Sequence, residues 1–307
     1  MTKKRYLDEL LSDGSFRFHP LIVSGIDNEP VARIFSNEVL KQEVCLFAPD
    51  LETGDDYLDW LHGRLMRALQ NKQPLPVVRF ADGEYAFYNY TLGCNGLYRQ
   101  AESVAVIHQV MPRHVTALRS LADTGLLAPL VYPGNALNSP SGLLSLFKKK
   151  PDTGGADFLD FLRLHRVRLH ADNYVPFYAI YAYLSSADFA RAMDGRNLVI
   201  LNSDFNEASL RAWFERFDSR PNIGFVDIPA EYVATRWENI KDGICERIPG
   251  DADLCLTGAG VGALLICVDV AQTRSIPALD AGHVLNMMND RVDKSNGARL
   301  YTIRKNP

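Results

Sequence analysis

The sequence predicts an α/β fold, Rossmann-like, with a mostly parallel, doubly wound sheet and helices on both faces. Three observations carry that expectation. Short apolar runs bounded by polar or glycine turns recur at residues 75–80, 126–132, 197–204, 222–228, 253–257 and 276–279, as buried strands do. Helical stretches separate most of them, and strands that alternate with helices imply parallel βαβ units. Acids and glycines stand just past the ends of several of these strands, where open α/β sheets bind their ligands.

In chain order, a helix is expected over 4–11. Phe16, Phe18, Leu21, Ile22 and Val23 then form a strand or a packing arm, punctuated by Pro20, Gly25 and Pro30. Residues 1–70 read as a partly helical N-terminal extension, 71–290 as the main domain and 291–307 as a C-terminal tail with an edge strand near 299–303. Leu58, Leu61, Leu65, Met66 and Leu69 mark an amphipathic helix over 55–72. A helix over 101–122 contains Pro112 as a break or kink. The segment 133–155 is rich in Pro, Gly, Asn and Ser and reads as a loop carrying the Lys148-Lys149-Lys150 triplet; the triplet reads as a solvated surface run or a phosphate contact. Helix 157–164, a short strand at 167–170, and helices 176–184 and 187–193 follow. Past the strand at 197–204, helices 207–217, 232–247 and 262–271 connect the remaining strands.

Composition narrows the function classes. Charged residues make up 23% of the 307 and the hydrophobic set 47%, an ordinary globular balance. A formal net charge of -4 with no arginine-rich stripe argues against a nucleic-acid partner. Cys45, Cys94, Cys245, Cys255 and Cys267 are scattered without CxxC spacing, so neither a zinc ribbon nor a disulfide framework is indicated, and an odd count suits a reducing compartment. No secretory signal and no apolar run of spanning length is visible. The expectation is a cytoplasmic protein without a membrane span.

Three motifs carry chemistry. In Pro74–Glu84 the strand ends at Phe80 and two acids follow, Asp82 and Glu84, separated by Gly83. Gly83 permits a close backbone approach, so the acids can converge on one hard cation, Mn²⁺ or Mg²⁺, while Arg79 supplies a positive charge nearby. The plainer reading is an Asp-Gly turn with Glu84 at a helix start. The next aromatics, Tyr85, Phe87, Tyr88 and Tyr90, offer a stacking surface or simply pack the core. The second motif runs Gly258-Ala-Gly260-Val-Gly262 between a strand and a helix. Such a turn presents N–H groups to a diphosphate or only packs helix on strand; it misses the GxGxxG spacing of a dinucleotide site. Asp280-Ala-Gly-His283 is the third, with Asp280 and His283 as groups for a substrate hydroxyl or phosphate. Asn202 and Ser203 close another strand at the same edge, as ribose or phosphate contacts or as a helix cap.

The early Val77-Val78-Arg79-Phe80-Ala81-Asp82-Gly83-Glu84, with the late stretches from Leu256 to Asp269 and from Ile276 to His283, resembles the bacterial GT-D fold glycosyltransferases. The resemblance covers roughly residues 75–288. It implies a Rossmann-like fold, a UDP-sugar donor, a glycan or glycosylated-protein acceptor, and a divalent ion bound with the help of Asp82 and Glu84. At Gly262-Ala263-Leu264 the chain departs from the Thr-Ala-Lys expected there. The expected function is therefore a metal-dependent hexosyltransferase. The alternatives are an NAD(P)-dependent oxidoreductase or a non-catalytic sugar- or nucleotide-binding protein, and a homodimer is among the states open to the chain.

Overall fold

The computed structural model describes residues 4–23, 44–92, 99–137 and 153–290. The glycine turn at 93–96, the lysine triplet, most of the 133–155 loop and the tail with its edge strand lie outside them.

Six strands form one parallel sheet: β3 (Leu75–Phe80), β4 (Leu126–Pro129), β5 (Asn197–Asn202), β6 (Asn222–Asp227), β7 (Leu254–Gly258) and β8 (Pro277–Asp280), ordered β4-β3-β8-β7-β5-β6. Every pairing in it is parallel, and β3, β4 and β8 are buried throughout. Their near-continuous apolar sequences are those of strands covered on both faces. Two earlier strands, β1 (Arg17–Pro20) and β2 (Val44–Phe47), pair antiparallel as a separate ribbon.

Of the helices, α1 (Tyr6–Ser12) and α2 (Gly54–Asn71) precede β3, and α3 (Asp82–Tyr88) and α4 (Val104–Thr124) follow it. A short helix α5 (Pro133–Ala136), then α6 (Gly154–Leu164), α7 (Phe177–Leu184) and α8 (Ala187–Ala192), lead to β5. The remaining connections are α9 (Glu207–Glu215), α10 (Val233–Arg247), α11 (Ala263–Arg274) and α12 (Gly282–Met288). Helices α4, α10 and α11 pack together, whereas α2, α7 and α8 form another group and α9 packs on α12. Right-handed crossovers explain the division. The connections β3–β4, β6–β7 and β7–β8 run one way along the sheet; β5–β6 runs the other way and carries α9 to the opposite face.

Three local expectations change. Residues 167–170 form no strand. Val167 and Leu169 are buried between exposed neighbours, the alternation of a strand, but the Leu169 N–H is taken by the Tyr6 hydroxyl at 3.0 Å, not by a ladder partner. Helix α4 runs on through Pro112; the proline lies on the exposed side, where water can satisfy the carbonyl it leaves without a donor. The strand at 126 stops at Pro129, and Pro133 opens α5, as a proline at a first helical position does.

The aromatics after Glu84 go to the core. Tyr85, Phe87 and Tyr88 are buried, and the Tyr88 ring lies 5.5 Å from Phe158, which stacks on Phe80 at 4.9 Å. His114 closes this cluster from α4. Its Nε2 donates to the Ala234 carbonyl at 2.8 Å, which leaves Nδ1 to accept from the Tyr88 hydroxyl at 3.2 Å. Burial pushes its pKa down to about 4, so the unfolded chain binds this proton more readily than the native one. Native stability contributed by neutral His114 is full above pH 6.5 and falls as the pH drops towards 4. Denaturant unfolding of wild type and His114→Gln should therefore show a stability gap that narrows between pH 7 and pH 4.5; a constant gap would contradict the assignment.

Candidate functional site

Parallel strands deliver their carboxyl ends to one edge, and here β3, β8, β7 and β5 end side by side, with Thr257 registered to Asp280 and Asn202 to Gly258. The loops beyond them enclose a cavity of about 340 Å³. It is lined by Arg79, Asp82, Gly83, Glu84, Asn202, Ser203, Gly258, Gly260, Asp280 and His283. The three motifs, up to about 200 positions apart in the chain, thus share one crevice; of the candidate residues, Gly262 is not part of the lining.

The centre of the site is an ion pair. Arg79 Nη2 donates to Asp280 Oδ1 at 2.9 Å, Arg79 Nε donates to the Asp280 carbonyl at 3.0 Å, and the Arg79 backbone N–H lies 3.3 Å from Oδ2. Both side chains are 7% exposed. The guanidinium also lies 4.7 Å from the Tyr181 ring centroid and 5.3 Å from that of Phe177, a cation–π arrangement with the planar group. Burial works against its charge, but the Asp280 carboxylate outweighs it and the Arg79 pKa is raised. Asp280 therefore serves as a fixed counter-ion, and Arg79 is not an uncommitted charge for a phosphate.

Glu84 occupies the first turn of α3, and its Oε2 accepts the Ala81 N–H at 2.9 Å. Burial of this carboxyl raises its pKa to about 7, the Ala81 hydrogen bond opposes the shift, and the Asp280 charge adds to it. Asp82, two residues earlier in the same turn, is exposed at the cavity. His283 stands on α12, with Nδ1 3.4 Å from the Asn286 amide nitrogen. Burial, then the Arg79 charge, lowers its pKa to about 4, so its imidazole is neutral at pH 7.

Each glycine of the second motif is explained by a close approach of the chain itself. A Cβ on Gly258 would lie 2.9 Å from Asn202 Oδ1, and one on Gly262 would lie 2.6 Å from the Val233 side chain. Gly260, at φ +51°, would place its Cβ 2.8 Å from the Gln100 amide. The Val261 N–H donates to Gln100 Oε1 at 3.1 Å. That donor of the turn is already occupied.

Among the described residues no three His, Cys, Asp or Glu side chains converge to hold a metal. One or two carboxylates can also share a Mg²⁺-like ion with a substrate's phosphates; Asp82 and Glu84 are the lining carboxylates that could hold one in that way.

Among the lining residues that sequence reasoning missed are Gln100, Phe177, Tyr181 and Asn286. Asn286 was accessible as the position one turn past His283 on α12. Phe177 and Tyr181, four apart on an apolar helix, read only as core. Gln100 follows no strand and carries no local signal.

No protein-family model matches the chain, and no curated protein and no solved structure matches it either. No helix among the described residues is long and apolar enough to cross a membrane.

The buried pair generates a double-mutant prediction. Arg79→Ala or Asp280→Ala alone should lower the unfolding free energy by about 3–5 kcal/mol, because each strands a buried charge. The apolar pair Arg79→Met/Asp280→Leu should cost clearly less than the two single losses added. Gly282→Ala, whose Cβ would lie 1.9 Å from Arg79 Nη2 at a φ of +34°, should lower the melting temperature as far as loss of the pair does. Additive losses in denaturant unfolding would refute the coupling.

Proposed function

We propose that this chain is a metal-dependent glycosyltransferase that moves a hexose from a nucleotide-sugar donor, taken to be a UDP-sugar, to a hydroxyl of a glycan or glycoconjugate. The observation that supports it is the charge balance of the crevice. Among the described lining residues Arg79 is the only Lys or Arg, and Asp280 neutralises it, while Asp82, together with Glu84 in its ionised form, adds negative charge. A diphosphate alone would meet net repulsion there; a diphosphate that carries a divalent cation would not. Asp82 and Glu84 are the residues that would hold that ion. When bound, it supplies Lewis-acid stabilisation of the negative charge on the departing nucleotide diphosphate.

The chain's own groups divide the remaining tasks. The Arg79–Asp280 pair keeps the floor of the site rigid, and neutral His283 is a hydrogen-bonding group on the same wall. The resemblance of the three motifs to the GT-D glycosyltransferases points to the same chemistry. An NAD(P) oxidoreductase fits less well, because the glycine turn that would receive its pyrophosphate has its Val261 N–H engaged by Gln100.

Calorimetric titration of UDP tests the reading. Binding is expected with Mn²⁺ and at least tenfold weaker without it, and Asp82→Ala or Glu84→Ala should abolish the metal-dependent part. Equal binding with and without Mn²⁺, or NAD binding indifferent to metal, would reject it.

A further inference from the structure

The crevice has two chemically different ends. At the β3 end stand the carboxylates of Asp82 and Glu84. At the other, β5 and β7 lie side by side, and their following helices depart to opposite faces: α9 after β5, α11 after β7. This is the sheet's topological switch point, where the loops separate and a ligand can enter between them.

Asn202 is the last residue of β5, registered opposite Gly258, the last residue of β7. It is 6% exposed. Its amide orientation is fixed, because Nδ2 donates to the Asp204 carbonyl at 3.0 Å and only the NH₂ end of the amide can do so. The Asp204 carbonyl is itself anchored by a second donor, Asn289 Nδ2 at 3.1 Å. Oδ1 therefore points the other way, over Gly258, 2.9 Å from where a Cβ there would be. Among the described residues no group donates to Oδ1, and it is not among the side-chain atoms sealed from solvent. An amide oxygen of a nine-tenths-buried residue thus faces the cavity with an acceptor to fill.

We propose that Asn202 is a specificity-determining residue that accepts a hydrogen bond from an O–H or N–H of the ligand. The glycine turn then holds the uncharged, hydroxyl-bearing part of the ligand, and the diphosphate lies at the Asp82–Glu84 end. A phosphoryl oxygen is an acceptor only, and two acceptors against each other in a buried site are repulsive. The neighbouring Gln100 Oε1 turns the Val261 N–H away from the same role. The absent Cβ of Gly258 makes room for Asn202 and does not mark close approach of a pyrophosphate. This orientation rests on the nucleotide-sugar reading for the identity of the ligand, but not for its polarity.

The test compares wild type with Asn202→Ala by calorimetry, using UDP with Mn²⁺, UDP-glucose with Mn²⁺, inorganic pyrophosphate with Mn²⁺, and uridine alone. Loss of one hydrogen bond should weaken UDP or UDP-glucose about five- to tenfold and leave pyrophosphate unchanged. Weakening of UDP places the bond on the nucleoside; weakening of UDP-glucose alone places it on the hexose. Pyrophosphate weakened equally, no probe weakened, or no binding of any nucleoside-bearing probe to wild type would each overturn the proposal. If uridine binds wild type, is lost in the variant, and no diphosphate binds with metal, the polarity of this subsite stands and the glycosyltransferase reading falls. Should Asn202→Ala fail to fold, a crystal structure of wild type with UDP and Mn²⁺, or with uridine, decides. A ribose or base donor in hydrogen-bond reach of Oδ1 supports the proposal, and a phosphoryl oxygen there refutes it.

Discussion

A single guanidinium, buried between the ends of two strands, sets the terms for everything around it. Arg79 can remain charged in the interior only because Asp280 meets it with both carboxylate and carbonyl while Phe177 and Tyr181 cover its plane. That requirement fixes more than the pair. It ties the end of β3 to the end of β8, it requires a glycine at 282, and it brings α7 against the sheet. It also settles the electrostatics of the crevice. With the arginine neutralised, Asp82 and Glu84 are the remaining acids of the lining that an incoming ligand meets, and burial, with the Asp280 charge adding to it, raises the pKa of the Glu84 carboxyl.

The sheet was legible in the sequence because its strands other than β6 are largely buried and therefore read as unbroken apolar runs, as in Val77-Val78 and Leu254-Cys255-Leu256. The alternation with helices then dictated parallel pairing. The segment at 167–170 was misleading for a physical reason: alternate burial is written in the side chains, but whether a strand forms depends on where the backbone N–H groups go, and Tyr6 claims one of them from 163 positions away. At Pro112 the helix does not break, since a proline on a solvated helix face loses a hydrogen bond without ending the helix.

The site was legible to the extent that its residues stand at strand ends. Asp82, Glu84, Asn202, Gly258, Asp280 and His283 could all be found because a parallel sheet brings such positions to one edge. What the sequence left open was their partners. It could not tell that Arg79 belongs to Asp280, that Gln100 reaches the glycine turn, or that Gly258 accommodates an asparagine. Those are contacts between residues whose spacing in the chain carries no period, and only the folded arrangement decides them.

The two edges of the sheet are unlike. Beside β4, Val175 donates to the Leu127 carbonyl, Leu46 donates to the Val131 carbonyl, and the Tyr174 hydroxyl donates to the Leu46 carbonyl, so the ribbon of β1 and β2 is fastened along that flank. Beyond β6 no strand is added among the described residues, and Phe225 remains partly exposed against Phe205. The early residues thus act as a guard on one flank. A chain begun at residue 71 would keep the Val175 bond to β4 but lose the ribbon beyond it, leaving that flank a more open template for strand addition by a neighbour.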